Sequence, residues 1–231
     1  MGVAGMSEQA FGTTEALDQA LCSAVADRLA EAVALRGSAT LVVSGGSTPR
    51  ELYRLLAKTS LPWQKITVLL ADDRWVALDH EDSNERMVRE LLLRDEAASA
   101  HFLSLAPAYP DEAANLLQVE AALAQLPTFD VVLLGMGLDG HTASLFPCSA
   151  EINHAMTTAA RVAMTQPAAA PHRRVTLTRL RLEDSRWGAV HIVGEEKGRV
   201  LKGINQETSE TSTPVAVFLP PRGHFEVWQA P

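Results

Sequence analysis

The chain has 231 residues, 47% of them hydrophobic, with 20 Lys and Arg against 28 Asp and Glu and a formal net charge of -8. That length fits one sizeable α/β domain spanning residues 1–231, and the acidic balance excludes a broad electrostatic footprint for nucleic acid or an anionic membrane. Cys22 and Cys148, the two cysteines, provide neither a disulfide framework nor metal-ligand spacing, which fits a reduced, cytoplasmic setting.

Residues 1–14 lack the basic flank and apolar core of a signal peptide, and no apolar run approaches the roughly 20 residues of a membrane span. The sequence therefore predicts a soluble, unprocessed protein with its first ten or so residues poorly ordered. Leu17, Leu21, Val25, Leu29 and Val33 recur every fourth position, so a long helix buries one stripe and stops at Gly37. A strand over residues 40–43 follows. It runs into Ser44, Gly45, Gly46, Ser47 and Thr48, with Thr48 as the expected N-cap and Pro49 as the first residue of a helix carrying Leu52, Leu55 and Leu56.

Residues 66–71 form the next expected strand, ending at Asp72-Asp73-Arg74-Trp75, and Asp82 with Glu85 has the spacing to box the start of a helix running to Leu92. A short strand at 102–105 and a helix over about 111–126 lead to the run FDVVLLGMGLDGHTASLFP at residues 129–147. There a buried strand enters a glycine turn that presents Asp139 and His141 just before a new helix. Strands at 175–177 and 189–193, the latter followed by a helix from Glu195, complete a repeated β-then-α order. Such alternation predicts a Rossmann-like, mainly parallel sheet with helices on both faces and functional loops at the strands' carboxyl ends. Segment 166–171 is the most loop-like and 205–213 the most polar, so both are candidates for mobility, and neither marks a domain boundary.

Four elements carry candidate chemistry. The Ser44–Thr48 turn lets a backbone wrap closely around an anion while the following helix aims its free N–H groups at the same spot, although glycine-rich strand-to-helix turns are also common as plain connections. Asp72 can reach a ligand hydroxyl, and Arg74 can hold a phosphate through two N–H groups. Histidine is the residue type whose unperturbed pKa, about 6.5, suits proton transfer near neutrality, which makes His141 the candidate for that role, and Asp139 is placed to orient its ring. Arg173, Arg174 and Lys197 supply further cations; adjacent residues on a strand face opposite ways, so only one arginine of the pair is expected to enter the site.

Taken together, SGGSTP at 44–49, DDRWV at 72–76, GMGLDGHTASLFP at 135–147, RVTLT at 174–178 and VGEEK at 193–197 resemble, in order and spacing, the 6-phosphogluconolactonase family. That family lies within the glucosamine-6-phosphate isomerase and ribose-5-phosphate isomerase-like fold group. The resemblance spans nearly the whole chain. It implies hydrolysis of 6-phospho-D-glucono-1,5-lactone to 6-phosphogluconate, in the oxidative pentose phosphate pathway, without metal or organic cofactor, by a monomer or small homo-oligomer. His141 then acts as general base, with Asp139 and Asp72 holding the histidine or sugar hydroxyls. Ser44, Gly45, Gly46, Ser47, Thr48, Arg74, Lys197 and, by its match to RVTLT, Arg174 bind the phosphate. Ser144 lacks a G-x-S-x-G elbow and is assigned no catalytic role.

The chain departs from the family pattern where Asp73 replaces the usual Glu, and where alanines stand before Arg174 in place of a Lys between prolines. One alternative is a glucosamine-6-phosphate deaminase-type isomerase, but that chemistry needs a further carboxylate where this chain has Phe146. The other is a non-catalytic sugar-phosphate sensor, but nothing ahead of the first helix is large enough for a helix-turn-helix.

Overall fold

A computed structural model describes residues 8–231. Strand β1 (Glu8–Ala10) and helix α1 (Thr14–Arg36) open the chain, followed by β2 (Ala39–Val43), α2 (Arg50–Ala57), β3 (Ile66–Leu70), β4 (Asp72–Arg74), α3 (Asn84–Leu91) and β5 (His101–Leu103). Then come α4 (Glu112–Leu123), β6 (Val131–Leu134), α5 (Ile152–Thr157), β7 (Val162–Thr165), β8 (Arg174–Leu177), α6 (Arg179–Glu183), β9 (Gly188–Val193), α7 (Glu195–Gly203) and β10 (Glu226–Ala230).

Helix α1 follows from its sequence period. The stripe of Leu17, Leu21, Val25, Leu29 and Val33 is buried, at roughly 1.5–3 kcal/mol per large apolar side chain, and faces β2, β6 and β10. Thr13 caps its first turn by accepting from the Ala16 N–H, and Gly37 ends it at φ 81°, where a side chain would be strained.

Seven strands form one sheet in the order β1-β10-β9-β6-β2-β3-β5, every neighbouring pair parallel. From β2 the chain steps through β3 to β5 on one side; from β6 it steps through β9 to β10 on the other. Because such crossovers are right-handed, this reversal sends α2 and α7 to opposite faces, and the crevice between the carboxyl ends of β2 and β6 is the switch point where open α/β sheets take ligands. The β2–β6 pair is pinned by Asp130, buried beside Arg36 at 2.6 Å and accepting the Thr40 N–H at 2.8 Å.

The second sheet, β4-β8-β7, is antiparallel and was not legible as such: the DDR and RVTL segments read as a strand end and a member of the parallel sheet. Strands β1, β7 and β10 were also missed. Glu8–Ala10, expected to be poorly ordered, pairs along β10 as an edge strand, whereas the rest of that expectation falls on residues outside those described.

Two caps also differ. Helix α2 starts at Arg50 with Pro49 as its cap, because the turn through Ser47 closes ahead of the helix and the first helical bond runs from the Tyr53 N–H to the Pro49 carbonyl. Helix α3 is capped by Ser83, which accepts the Arg86 N–H, instead of by Asp82. Asp73 does the rest there, its carboxylate accepting the N–H groups of Arg74, Asn84 and Glu85. Burial pushes its pKa up to about 6 against the pull of those three donors. No helix among the described residues is long and apolar enough to cross a membrane.

Candidate active site

A cavity of about 680 Å³ opens at the switch point, within the size range of small-ligand sites. Its wall contains Ser44, Gly45, Gly46, Ser47, Thr48, Asp72, Arg74, Asp139, His141, Arg174 and Lys197, so the candidate residues from the sequence, Arg173 apart, line one space. The β2 and β6 carboxyl ends supply two of these groups by direct continuation.

In the loop after β2, the N–H groups of Gly46, Ser47 and Thr48 donate to no carbonyl among the described residues, which leaves them free for an anion. Two glycine requirements shape it. Gly46 sits at φ 96°, and a Cβ on Gly45 would lie 2.0 Å from the Asn84 Oδ1. Ser44 is more structural than expected: its hydroxyl donates to the Leu133 carbonyl at 2.9 Å, tying β2 to β6, while its own carbonyl accepts the Tyr53 hydroxyl at 2.5 Å.

After β6 the chain turns through Gly135 and Gly137 to Asp139 and His141. His141 Nδ1 lies 2.5 Å from the Asp139 Oδ1, and the same oxygen accepts the His141 N–H at 3.2 Å. A carboxylate facing Nδ1 favours the tautomer that carries its proton there, with the Nε2 lone pair directed away from Asp139. The ring is stacked on Phe146, centroids 3.9 Å apart at 24°, and packs against Gly137 on a backbone that leaves no space for a methyl.

The helix expected directly after His141 is absent: residues 142–150 turn irregularly and the next helix is α5. Ala143 at φ 47° breaks the helical path. Polar groups of the turn bond across it instead, Thr142 Oγ1 to the Gly135 carbonyl at 2.7 Å and the Ser144 N–H to Thr176 at 3.3 Å.

The second sheet supplies the remaining wall. Arg74 and Arg174 are partners in the β4–β8 register, which brings two guanidinium groups separated by 100 positions in sequence to one side of the cavity. Arg74 Nη1 donates to the Asp82 carbonyl at 2.6 Å and Arg174 Nη2 to the Pro171 carbonyl at 3.1 Å, while the buried Nε of each has no protein partner. Burial depresses the Arg174 pKa. Arg173 faces away and pairs with Glu112 at 2.9 Å, as strand alternation requires. Lys197, in the first turn of α7, makes no ion pair among the described residues, and its burial lowers its pKa. Both features favour an incoming anion, which would restore the charged form.

Asp72 is buried on the same wall and accepts the Ser144 hydroxyl at 2.5 Å, a contact that gives Ser144 a holding role. The segment before Arg174 contributes Ala169, Ala170 and Pro171, so this part of the wall is apolar. Among the lining residues that sequence reasoning did not place in the site are one acidic and two histidine side chains. His191 lies buried in β9, 3.3 Å from Asp18 of α1. Asp82 and His172 meet across the rim at 2.9 Å, and only the fold brings together their 90-residue separation. A period-2 scan over GAVHIV would have exposed His191 as the polar member of a buried strand.

A doubly wound parallel sheet with a glycine turn of free N–H groups and a histidine–carboxylate pair at its switch point defines an α/β protein with a small-ligand site at the carboxyl ends of its strands. The family described as glucosamine-6-phosphate isomerases/6-phosphogluconolactonase matches residues 12–227, and the chain belongs to it. It is 41% identical over 221 residues to a 6-phosphogluconolactonase of Pseudomonas aeruginosa, covering 94% of this chain and 92% of that one. A Rhizobium meliloti protein of the same name is 40% identical over 217 residues, covering 90% and 91% respectively. The crystal structure of a 6-phosphogluconolactonase from Shewanella baltica superposes with a TM-score of 0.95 at 41% identity over 100% of both chains.

Proposed function

We propose that the chain is a 6-phosphogluconolactonase that opens 6-phospho-D-glucono-1,5-lactone by general-base hydrolysis. The carrying observation is the oriented pair of Asp139 and His141 on the wall of a cavity that also contains the anion-accepting loop. The phosphate sits against the N–H groups of residues 46–48, with Arg74, Arg174 and Lys197 around it, and this remote binding holds C1 of the lactone before His141.

Neutral His141 takes a proton from water at Nε2 as the water oxygen bonds to C1. The carbonyl π pair moves onto its oxygen. When the tetrahedral intermediate collapses, the C1 to ring-oxygen bond breaks and the imidazolium returns the proton to the departing oxygen. Asp139 keeps the ring in the required tautomer and offsets its transient charge, and Asp72 binds sugar hydroxyls. An ester already activated as a lactone needs no covalent enzyme intermediate. Phe146, stacked on His141, fills with an aromatic ring the position where an isomerase would need a carboxylate, and this supports hydrolysis over proton shuttling.

The test is lactonase activity with the lactone generated in situ, comparing wild type with His141→Ala. A loss of about 10²- to 10⁴-fold in kcat is expected, with 6-phosphogluconate binding retained. Wild-type turnover no faster than spontaneous hydrolysis would overturn the assignment, and full activity in the variant would remove His141 from the mechanism.

A further inference from the structure

At the rim of the cavity, His80 and Asp82 lie in the loop between β4 and α3, and His172 ends the loop that enters β8. Their donor atoms all lie within 4.8 Å of one another. His172 Nε2 is 2.9 Å and His80 Nδ1 3.8 Å from the same Asp82 Oδ2, and the two rings meet edge-on with centroids 5.4 Å apart. Among the described residues the Asp82 carboxylate has no Lys or Arg partner, since Arg74 is bonded to the Asp82 backbone carbonyl. Two imidazoles thus converge on one carboxylate that no permanent cation neutralises.

We propose that His80, Asp82 and His172 form a binding site for a divalent transition-metal ion of the zinc type. Two imidazole nitrogens and a carboxylate oxygen are a borderline donor set, suited to Zn²⁺ and its neighbours, whereas Mg²⁺ and Ca²⁺ favour all-oxygen shells. Bonds of about 2.0–2.1 Å at tetrahedral angles require donors about 3.3 Å apart. The 2.9 and 3.8 Å separations bracket that spacing. All three side chains are partly exposed, so they can close by rotation about their own bonds.

Coordination through His80 Nδ1 replaces the bond it accepts from the Asp82 N–H at 3.0 Å. Three protein ligands leave a fourth position for water. Because Asp82 and His172 line the cavity while His80 does not, the ion would join the loop before β8 to the loop before α3 across the mouth. This site takes no part in the hydrolysis proposed above and stands independently of it.

The test uses tag-free, chelator-treated full-length protein titrated with Zn²⁺ by equilibrium dialysis and calorimetry, and with Co²⁺ by visible absorption. One equivalent of Zn²⁺ is expected, with a tetrahedral Co²⁺ spectrum, and at least about a tenfold loss of affinity in each of His80→Ala and His172→Ala. Metal-free His80→Ala should keep wild-type melting temperature and lactonase rate; if it does not fold, His80→Gln and His172→Gln carry the same comparison. Absence of saturable binding in micromolar excess, or undiminished affinity in both histidine variants, would overturn the proposal.

Discussion

Gly137→Ala isolates the placement of the histidine from its chemistry. Gly137 is not in the left-handed region, so its backbone accepts alanine, yet the new Cβ would fall 2.2 Å from both Cε1 and Nδ1 of His141 and 2.7 Å from Asp139 Oδ1. An ordinary contact begins at 3.4 Å, so the ring must retreat by about 1.2 Å. Phe146 stacked on the ring restricts that retreat, and movement also stretches the 2.5 Å bond to Asp139. A displacement of about 1 Å at a reacting group costs on the order of 10²-fold in rate, equivalent to about 2.7 kcal/mol. The expected result is kcat reduced about a hundredfold in the in situ lactone assay. The inhibition constant of 6-phosphogluconate should stay near that of wild type, because the residues proposed to hold the phosphate lie on other elements. Circular dichroism melting checks that the fold survives. Wild-type kcat in a folded Gly137→Ala protein would refute the idea that this close packing positions the base.

Three further outcomes follow from the same geometry. Removing a charged hydrogen bond worth about 1.5–3 kcal/mol, Lys197→Ala should raise KM by about ten- to a hundredfold with kcat less affected. Since burial depresses Lys197, the free enzyme loses that charge at a lower pH than an ordinary lysine. Wild-type KM should therefore rise in alkali, and Lys197→Arg should flatten the rise; a KM independent of pH in wild type would contradict the role. Ser144→Ala strips the buried Asp72 of its hydroxyl donor and should cost about 1–3 kcal/mol in urea unfolding and lower kcat/KM, whereas unchanged values would make that contact dispensable. Asp73, held in the fold at about 6 against an ordinary 3.8, favours its neutral form. Its contribution is therefore full below about pH 4 and declines as pH rises through about 6. The unfolding free-energy gap between wild type and Asp73→Asn should shrink from about pH 4 to about pH 7, and a widening gap would reverse the assignment.

The elements that were legible in the sequence are those whose signal is local. Helix α1 has a four-residue stripe closed by Gly37, and β2, β3 and β6 are continuous apolar runs ending in glycine or acidic turns, so their burial and the location of the two site loops could be read directly. The parts that failed are those where a partner far along the chain decides the outcome. DDR at β4 contains no apolar residue; it becomes a strand only because Arg174, Val175 and Thr176 run antiparallel beside it. That pairing also explains a point the sequence leaves open, namely how Arg74 and Arg174 come to share one wall.

The Ser83 cap was hidden for a related reason. Asp82 and Glu85 have the spacing of a capping box, but the Asp82 carboxylate faces His172 and the helix start is held by Ser83 and by Asp73 from β4. The same short strand therefore has two tasks. Asp73 faces back to anchor α3, while Asp72 and Arg74, one residue to either side, project into the cavity by strand alternation. A Glu at position 73 would add a methylene to a carboxylate already bonded to three backbone N–H groups, so α3 and the β4 backbone would have to separate to accommodate it. The shorter acid is thus matched to the local spacing. Asn84, the first residue of α3, donates to the Asp72 carbonyl at 3.1 Å and packs on Gly45, linking the fit at position 73 to the anion loop without any contact between Asp73 and the ligand space.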